Sequence, residues 1–275
     1  LLIYYSLDYY LPNGSLPSIM TCTIFRIMDR ICMNSCSIAW QSSYALVKVR
    51  QRKKIAAHKQ PPQIVVPQGM ERVIRKRQEG VHEIPRNIVY IGGVREDQGL
   101  GLMMDALPAI LREIPDTRVR IVGSGPYERK LAKLIQDRGL SASAELLGFV
   151  RDQRRITQLI CSSAVGIALY VPLNHSPAWY ADPGKVKCYL AHGVPVVVTK
   201  VPEIAREVEK YQIGIAIDYN IDQLVKALLL LLTNTEVLRR YRKNVELFVS
   251  RFSWENVLDE AFEETMNLLT KALQG

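Results

Sequence analysis

An open α/β fold, a parallel sheet with helices on both faces, is the class this sequence predicts, and three observations predict it. From Asn87 onward, short apolar runs alternate with amphipathic runs of helical period. The connections between them are short, as βαβ units require. Three of the apolar runs end in glycine-rich loops, the place where an open parallel sheet receives ligands.

Taken in order, NIVYIGG reads as a strand, and 99–114 as a helix with Leu100, Met103, Met104, Leu107 and Ile110 on its inward face. RVRIVGSG is a strand and PYERKLAKLIQDRG a helix ending in glycine. AELLGFV is a strand and RDQRRITQLICSS a helix. AVGIALY is a strand, followed by the irregular stretch VPLNHSPAWYA. A short helix comes next, then the strand PVVVT, the helix PEIAREVEK and the strand IGIAI. Six strands make one doubly wound, Rossmann-like domain. Beyond Ile217 the pattern is all helical: IDQLVKALLLLL, NTEVLRRYRKNVELFVS and SWENVLDEAFEETMNLLTKALQ. Before Asn87, LIYYSLD, CSIAWQSS and QIVVPQG read as strands with two helix-like runs between them, which is the closing βαβαβ portion of a second α/β domain. Residues 70–86 are polar and without period and read as a linker. The opening Leu1 points to a piece of a longer chain.

The short helix lies in YADPGKVKCYLAHGVPVVVT, residues 180–199. Asp182 reads as its N-cap and Pro183 as its first residue. Val186, Tyr189 and Leu190 form its inward face, while His192, Gly193 and Pro195 end it. PVVVT has the continuous apolar character of a strand buried on both faces. Lys185 falls in the first turn, where the helix dipole and free N–H groups already favour an anion. A lysine there makes sense if an anion binds.

Composition narrows the function. Charged and apolar fractions, 23% and 48%, suit a globular chain. No run approaches the roughly 20 apolar residues of a membrane span, and LLIYYSLDYY lacks the basic start and cleavage site of a signal peptide. Five cysteines, Cys22, Cys32, Cys36, Cys161 and Cys188, contain no CxxC pair. They argue for small buried side chains in a reducing cytosol, without a disulfide framework or structural zinc. The net charge of +9 is concentrated between Lys48 and Arg86. That belt reads either as a solvated helix and linker or as a contact for anionic lipid through residues 48–77. It lacks the interleaved aromatics of a nucleic-acid surface.

The three loops, IGGVREDQG, IVGSGP and LGFVRD, line one sheet rim together with the start of the short helix. In that order and spacing the sequence resembles the donor half of family 4 (group 1) glycosyltransferases of the GT-B fold. NIVYIGGVREDQGL looks like the family's opening strand, basic glycine loop and helix start. VRIVGSGPYERKL is similar to its GxGP segment, ELLGFV to its next strand, DPGKVKCYLAHGVPVVVT to its lysine-containing segment, and FSWENV to the start of its terminal helix. The similarity is close from Asn87 to Leu269, and residues 1–69 look like the end of the acceptor-side domain, leaving the N-terminal domain truncated and the C-terminal one complete. On that reading residues 70–86 are the linker, 87–252 the nucleotide-sugar-binding domain and 253–275 a helix crossing back.

The resemblance implies a retaining, metal-independent transfer of a hexosyl group from a nucleoside-diphosphate sugar to a polysaccharide, lipid or other glycan acceptor. The sugar nucleotide is a substrate and no cofactor is expected. A cytoplasmic location is implied, peripheral at the inner face of the plasma membrane, with this piece inactive alone. Lys185 occupies the family's basic position and is the first candidate for a phosphate contact and for catalysis. Gly92, Gly93, Gly123, Ser124, Gly125, Val150 and Gly184 are carried over as nucleotide contacts. Two departures stand out. Gly93 and Gln98 replace the arginine and lysine common after the first strand; Arg95 points either into that space or into solvent. The paired glutamates of many members fall on Tyr180 and Cys188, so Cys188 inherits the ribose position without a carboxylate. Asp182 either replaces the first glutamate in part or only caps the helix. Losing the ribose carboxylate removes one or two charge-assisted hydrogen bonds, each worth roughly 1.5–3 kcal/mol. His175 and Trp179 either shape the sugar pocket or are plain loop residues, and His192 is structural. Leu7-Asp8-Tyr9 and Trp40-Gln41-Ser42 are strand-end candidates for acceptor contact. Those departures favour a rival from another class, a non-catalytic GT-B partner subunit; a UDP-sugar epimerase of the same fold fits less well.

Overall fold

The structure is a computed structural model of the 275-residue chain, and it describes residues 3–6, 32–33, 35–42, 47, 61–71, 86–174 and 176–274. The chain forms two compact units. One contains Leu1–Gly69, Leu173–Asp182 and Phe252–Gly275; the other contains Met70–Pro172 and Pro183–Arg251. Much of the basic belt, residues 48–60 and 72–85 with His58 and His82, lies outside the described residues, as do Cys22, Leu7-Asp8-Tyr9 and His175.

In the first unit, β1 (Ile3–Ser6), β2 (Ile38–Gln41) and β3 (Gln63–Val65) form a parallel sheet in the order β1-β2-β3. In the second, β4 (Asn87–Ile91), β5 (Arg118–Val122), β6 (Ala144–Gly148), β7 (Val165–Ala168), β8 (Val196–Thr199) and β9 (Gly214–Ile217) form a six-stranded sheet ordered β6-β5-β4-β7-β8-β9. Every pairing in it is parallel. Strand order runs one way from β4 through β6 and the other way from β7 through β9. The reversal between β4 and β7 is a topological switch point, and ligands enter such sheets at the strand C-ends beside it.

Five helices, α1 (Leu100–Glu113), α2 (Glu128–Asp137), α3 (Gln153–Cys161), α4 (Gly184–Ala191) and α5 (Ile204–Lys210), connect these strands in turn, and α6 (Ile221–Thr233) and α7 (Thr235–Arg251) follow β9. The periodicity places residues as expected: Leu100, Met103, Met104, Leu107 and Ile110 of α1 are all fully buried. So are Val186, Tyr189 and Leu190 of α4 and the valines of β8. α1 packs against α6 over the sheet, where Leu224, Leu228 and Leu231 join its core. Each such side chain, fully withdrawn from water, stabilises the fold by about 1.5–3 kcal/mol before entropy is counted.

The last helix, α8 (Trp254–Gln274), packs with the first unit. Its Val257 and Ala261 share a core with Ile38, Trp40, Ile64 and Val66. The buried Trp40 donates Nε1–H to Thr265 Oγ1 at 3.0 Å, and its ring meets Phe262 edge-on at 5.1 Å. No helix among the described residues is long and apolar enough to cross a membrane. The cysteines depart from expectation: Cys32, Cys36, Cys161 and Cys188 are half-buried thiols, not fully enclosed ones.

Candidate nucleotide site

The loops after β4, β5 and β6 interlock through their backbones. Gly92 N–H donates to Val122 O at 3.0 Å, Gly123 N–H to Gly148 O at 2.8 Å, and Val94 N–H to Ser124 O at 3.0 Å. Gly92 and Gly123 have φ of +146° and +135°, conformations that a side chain resists. A Cβ on Gly123 would also sit 1.8 Å from Gly92 O. Gly92, Gly93, Gly123 and Ser124 therefore lie close together, and with Val150 and the exposed Phe149 they line an open pocket of about 360 Å³ whose floor is apolar, from Ile91, Val122 and Ile156. An apolar slot edged by the glycine loops suits a planar heterocycle with polar edges.

At the switch point beside this pocket sits α4. Its first two N–H groups, on Gly184 and Lys185, donate to no acceptor among the described residues. Lys185 reaches from the first turn over β4: Nζ lies 2.5 Å from Gln98 Oε1 and 3.1 Å from Tyr90 Oη. The ammonium also stands 4.3 Å from the Tyr90 ring centre and 5.0 Å from that of Tyr170. The side chain is thus turned inward, toward the end of β4. Burial, reinforced by the charge of Arg95 and opposed by Asp97, pushes its pKa down to about 7.

The supporting groups are themselves held. Tyr90 donates Oη–H to Gly93 O at 2.7 Å, and its burial keeps the phenol protonated. Gln98 is buried and donates Nε2–H to Asp97 Oδ1 at 3.1 Å. Burial acts to raise the Asp97 pKa, but hydrogen bonds from Arg95 and Gln98 win and hold it below the usual carboxylate value. Tyr189 of α4, fully buried, accepts the Ile91 N–H at 2.8 Å and donates to Ile167 O at 3.3 Å, tying α4 to the end of β4.

Several expectations need correcting. Asp182 is not the N-cap of α4: Pro183 holds that position without a side-chain cap, and Gly184 is the first helical residue. Asp182 Oδ2 instead accepts the Gln68 N–H at 2.6 Å, a charge-assisted hydrogen bond. Residues 173–182 accordingly cluster with the first unit, not with the second. Arg95 does not aim at the pocket: its Nε and Nη2 pair with both oxygens of Asp97 at 3.0 and 2.9 Å, and its side chain is 57% exposed. Gly125 lies outside the pocket lining and lets Val94 O approach within 2.3 Å of where a Cβ would stand. Cys188 is likewise outside that lining. Burial and the Cys161 thiol of α3 raise its pKa, so it bears on the neighbouring helix. Trp179 donates Nε1–H to Leu173 O at 2.8 Å within its own loop, and His192 bonds Cys188 O and Thr157 Oγ1. The sequence reading missed Tyr90, Asp97 and Tyr170, and named Gln98 only as a departure from the family's lysine and Tyr189 only as an inward-facing residue. The run EDQ directly after Arg95 was the one available signal, since it offered a local carboxylate partner.

Fold and site together define an open α/β protein with a lysine at the switch point of its sheet. Residues 85–234 match the family Glycosyl transferases group 1. The chain belongs to that family. Alpha-monoglucosyldiacylglycerol synthase of Acholeplasma laidlawii is 25% identical over 170 residues, 61% of this chain and 40% of that protein. Among solved structures, a mutant of TarM from S. aureus, in complex with Fondaparinux, alpha-GlcNAc-glycerol and UDP, superposes with TM-score 0.72 at 13% identity. The match covers 95% of this chain and 50% of TarM. HepE of Anabaena, in complex with UDP and glucose, superposes at 0.70 with 17% identity, covering 96% and 71%. At such identities the likeness shows the fold, which is GT-B. The chain thus spans about half or less of the length of the first relatives it matches.

Proposed function

We propose that this chain carries the donor side of a glycosyltransferase that moves a hexosyl group, with retention and without a metal, from a nucleoside-diphosphate sugar to a glycan or lipid acceptor. The observation carrying the reading is the meeting of Lys185 with the loops of Gly92, Gly93, Gly123 and Ser124 at the switch point. The base fits the apolar slot under Phe149 and Val150, and the diphosphate fits between the Gly92 turn and the start of α4. As the glycosidic bond to the diphosphate breaks, negative charge gathers on the leaving oxygens. A lysine and two open amides fixed in advance stabilise that charge. UDP in both the TarM and HepE complexes supports this donor class. The glucose of the HepE complex supports a hexosyl group, and the diacylglycerol in the relative's name supports a lipid acceptor. A cytoplasmic location, peripheral at the inner face of the plasma membrane, and contact through residues 48–77 belong to the same proposal, as does inactivity of this span by itself.

One observation favours a non-catalytic partner subunit instead: Arg95 is committed to Asp97, leaving Lys185 as the cation over the loop. Calorimetric titration with UDP and GDP tests the site. Lys185→Ala is expected to weaken binding about 10- to 100-fold, the worth of one charge-assisted hydrogen bond. Equal affinity in both proteins removes Lys185 from the site. Binding without turnover, with a full-length chain and acceptor, selects the partner-subunit reading.

A further inference from the structure

We propose that Gln98 is a positioning residue for Lys185, and that docking of a diphosphate against the Gly92 turn draws a proton from solvent onto Nζ. The inference rests on the donor-site reading above and assigns that site a coupling to pH.

The geometry around Nζ carries it. A neutral amine has two N–H bonds and a lone pair, while an ammonium has three N–H bonds. Two directions are already assigned, to Gln98 Oε1 at 2.5 Å and to Tyr90 Oη at 3.1 Å. Tyr90 must accept there, because its own proton goes to Gly93 O. Gln98 must accept as well, because its amide nitrogen is turned toward Asp97 Oδ1. Gly92 flanks the amine as well: an added Cβ there would lie 3.3 Å from Nζ. A glycine there leaves room for a ligand oxygen. With the two fixed acceptors satisfied by a neutral amine, the third valence is a lone pair, which repels an anion. With the amine protonated it is the N–H that an anion needs. The step is a proton moving from solvent to Nζ as a phosphate oxygen accepts the new N–H; no bond within the nucleotide changes.

The surroundings are poised for this. The titratable groups near Nζ are Tyr90 on β4, Arg95 and Asp97 on the following loop, and Tyr170 beyond β7, with Tyr189 on α4 itself. Tyr90 and Tyr189 stay neutral, and Asp97 spends its charge on Arg95 and the Gln98 amide. Burial has pushed the lysine down to about 7, so near pH 8 most of the unliganded amine is unprotonated. An adjacent diphosphate favours the charged form and reverses the shift.

The experiment is calorimetry of UDP binding, with GDP as a second probe, from pH 6 to 9 in buffers of contrasting ionisation enthalpy. At pH 8 a phosphate with its second pKa near ~6 is fully ionised and exchanges no proton itself. Uptake close to one proton per nucleotide is expected at pH 8 and no net uptake at pH 6, where the amine is already charged and the half-protonated phosphate gives up a proton as it docks, with affinity falling roughly tenfold per unit above about pH 7. Lys185→Arg, whose cation does not titrate in this range, should bind without proton uptake. In Gln98→Met the amine loses an acceptor that favours its charged form. Affinity should fall roughly three- to tenfold at pH 7, and the break in the pH profile should move to lower pH. Nucleotide binding with no proton exchange overturns the proposal and leaves the donor site standing. A break at the same pH in wild type and Gln98→Met overturns the role of Gln98. No binding of either nucleotide overturns the donor-site reading, and the proposal with it.

Discussion

Lys185 Nζ and Gln98 Oε1 meet at 2.5 Å across 87 residues of sequence, joining the first turn of α4 to the loop that follows β4. Gln98 stands where many members of the family place a second cation. Here the position supplies an acceptor that orients a single cation instead. The site consequently depends on the protonation of one amine, and on the buried groups that hold α4 against β4.

The Lys185 amine makes stability depend on pH in a direction that can be measured. Its folded-state pKa is depressed to about 7, below an unfolded value near ~10.4. Between these values the unfolded chain binds the extra proton, so stability rises with pH across that window. Against Lys185→Met, which does not titrate, the wild type should gain on the order of 1–2 kcal/mol from pH 7 to 9. Urea denaturation at a series of pH values checks it; a gap that stays constant or changes the other way contradicts the depressed pKa.

Tyr189→Phe removes an oxygen that serves both the Ile91 N–H and the Ile167 carbonyl in a fully buried place. The ring still fits, but a backbone donor loses its acceptor. A cost of about 1–3 kcal/mol is expected, with weakened UDP binding because α4 loses its tie to β4. Thermal unfolding and the nucleotide titration report the two effects separately.

Gly123→Ala should be among the most damaging single methyls in the second unit. The new Cβ would overlap Gly92 O at 1.8 Å, and the backbone already has φ +135°. Backbone strain alone costs of order 1–3 kcal/mol, and the displaced loop cannot yield without opening the Val94–Ser124 hydrogen bond. Soluble yield and unfolding midpoint are the readouts; a variant as stable as wild type would show that the loops do not interlock this way.

Thr265→Val keeps the shape of a side chain that is almost fully buried in α8 but deprives Trp40 Nε1 of its acceptor. The expected loss is about 1–3 kcal/mol in the first unit, with a changed Trp environment in near-ultraviolet circular dichroism. Unchanged stability would place another acceptor on the indole.

Whatever depends on neighbours within a turn or a strand could be read from the chain before it folds. The six strands of the second unit and the buried face of α1 were legible because periodicity is a local property that burial on one side imposes. Lys185 was legible as an anion candidate because its place in a helix is local too. Tertiary structure decided the rest. Asp182 had a plausible local use as a cap, but its carboxylate takes the amide of Gln68, 114 residues away in sequence. Arg95 was taken by Asp97, close in sequence yet dependent on a loop conformation that no periodicity describes. Gln98, Tyr90 and Tyr170 gathered around one amine because parallel register and the reversal of strand order bring the ends of β4 and β7 together. Such partners are chosen by relative energies among groups far apart in the chain, and those energies exist only once the backbone has closed around them.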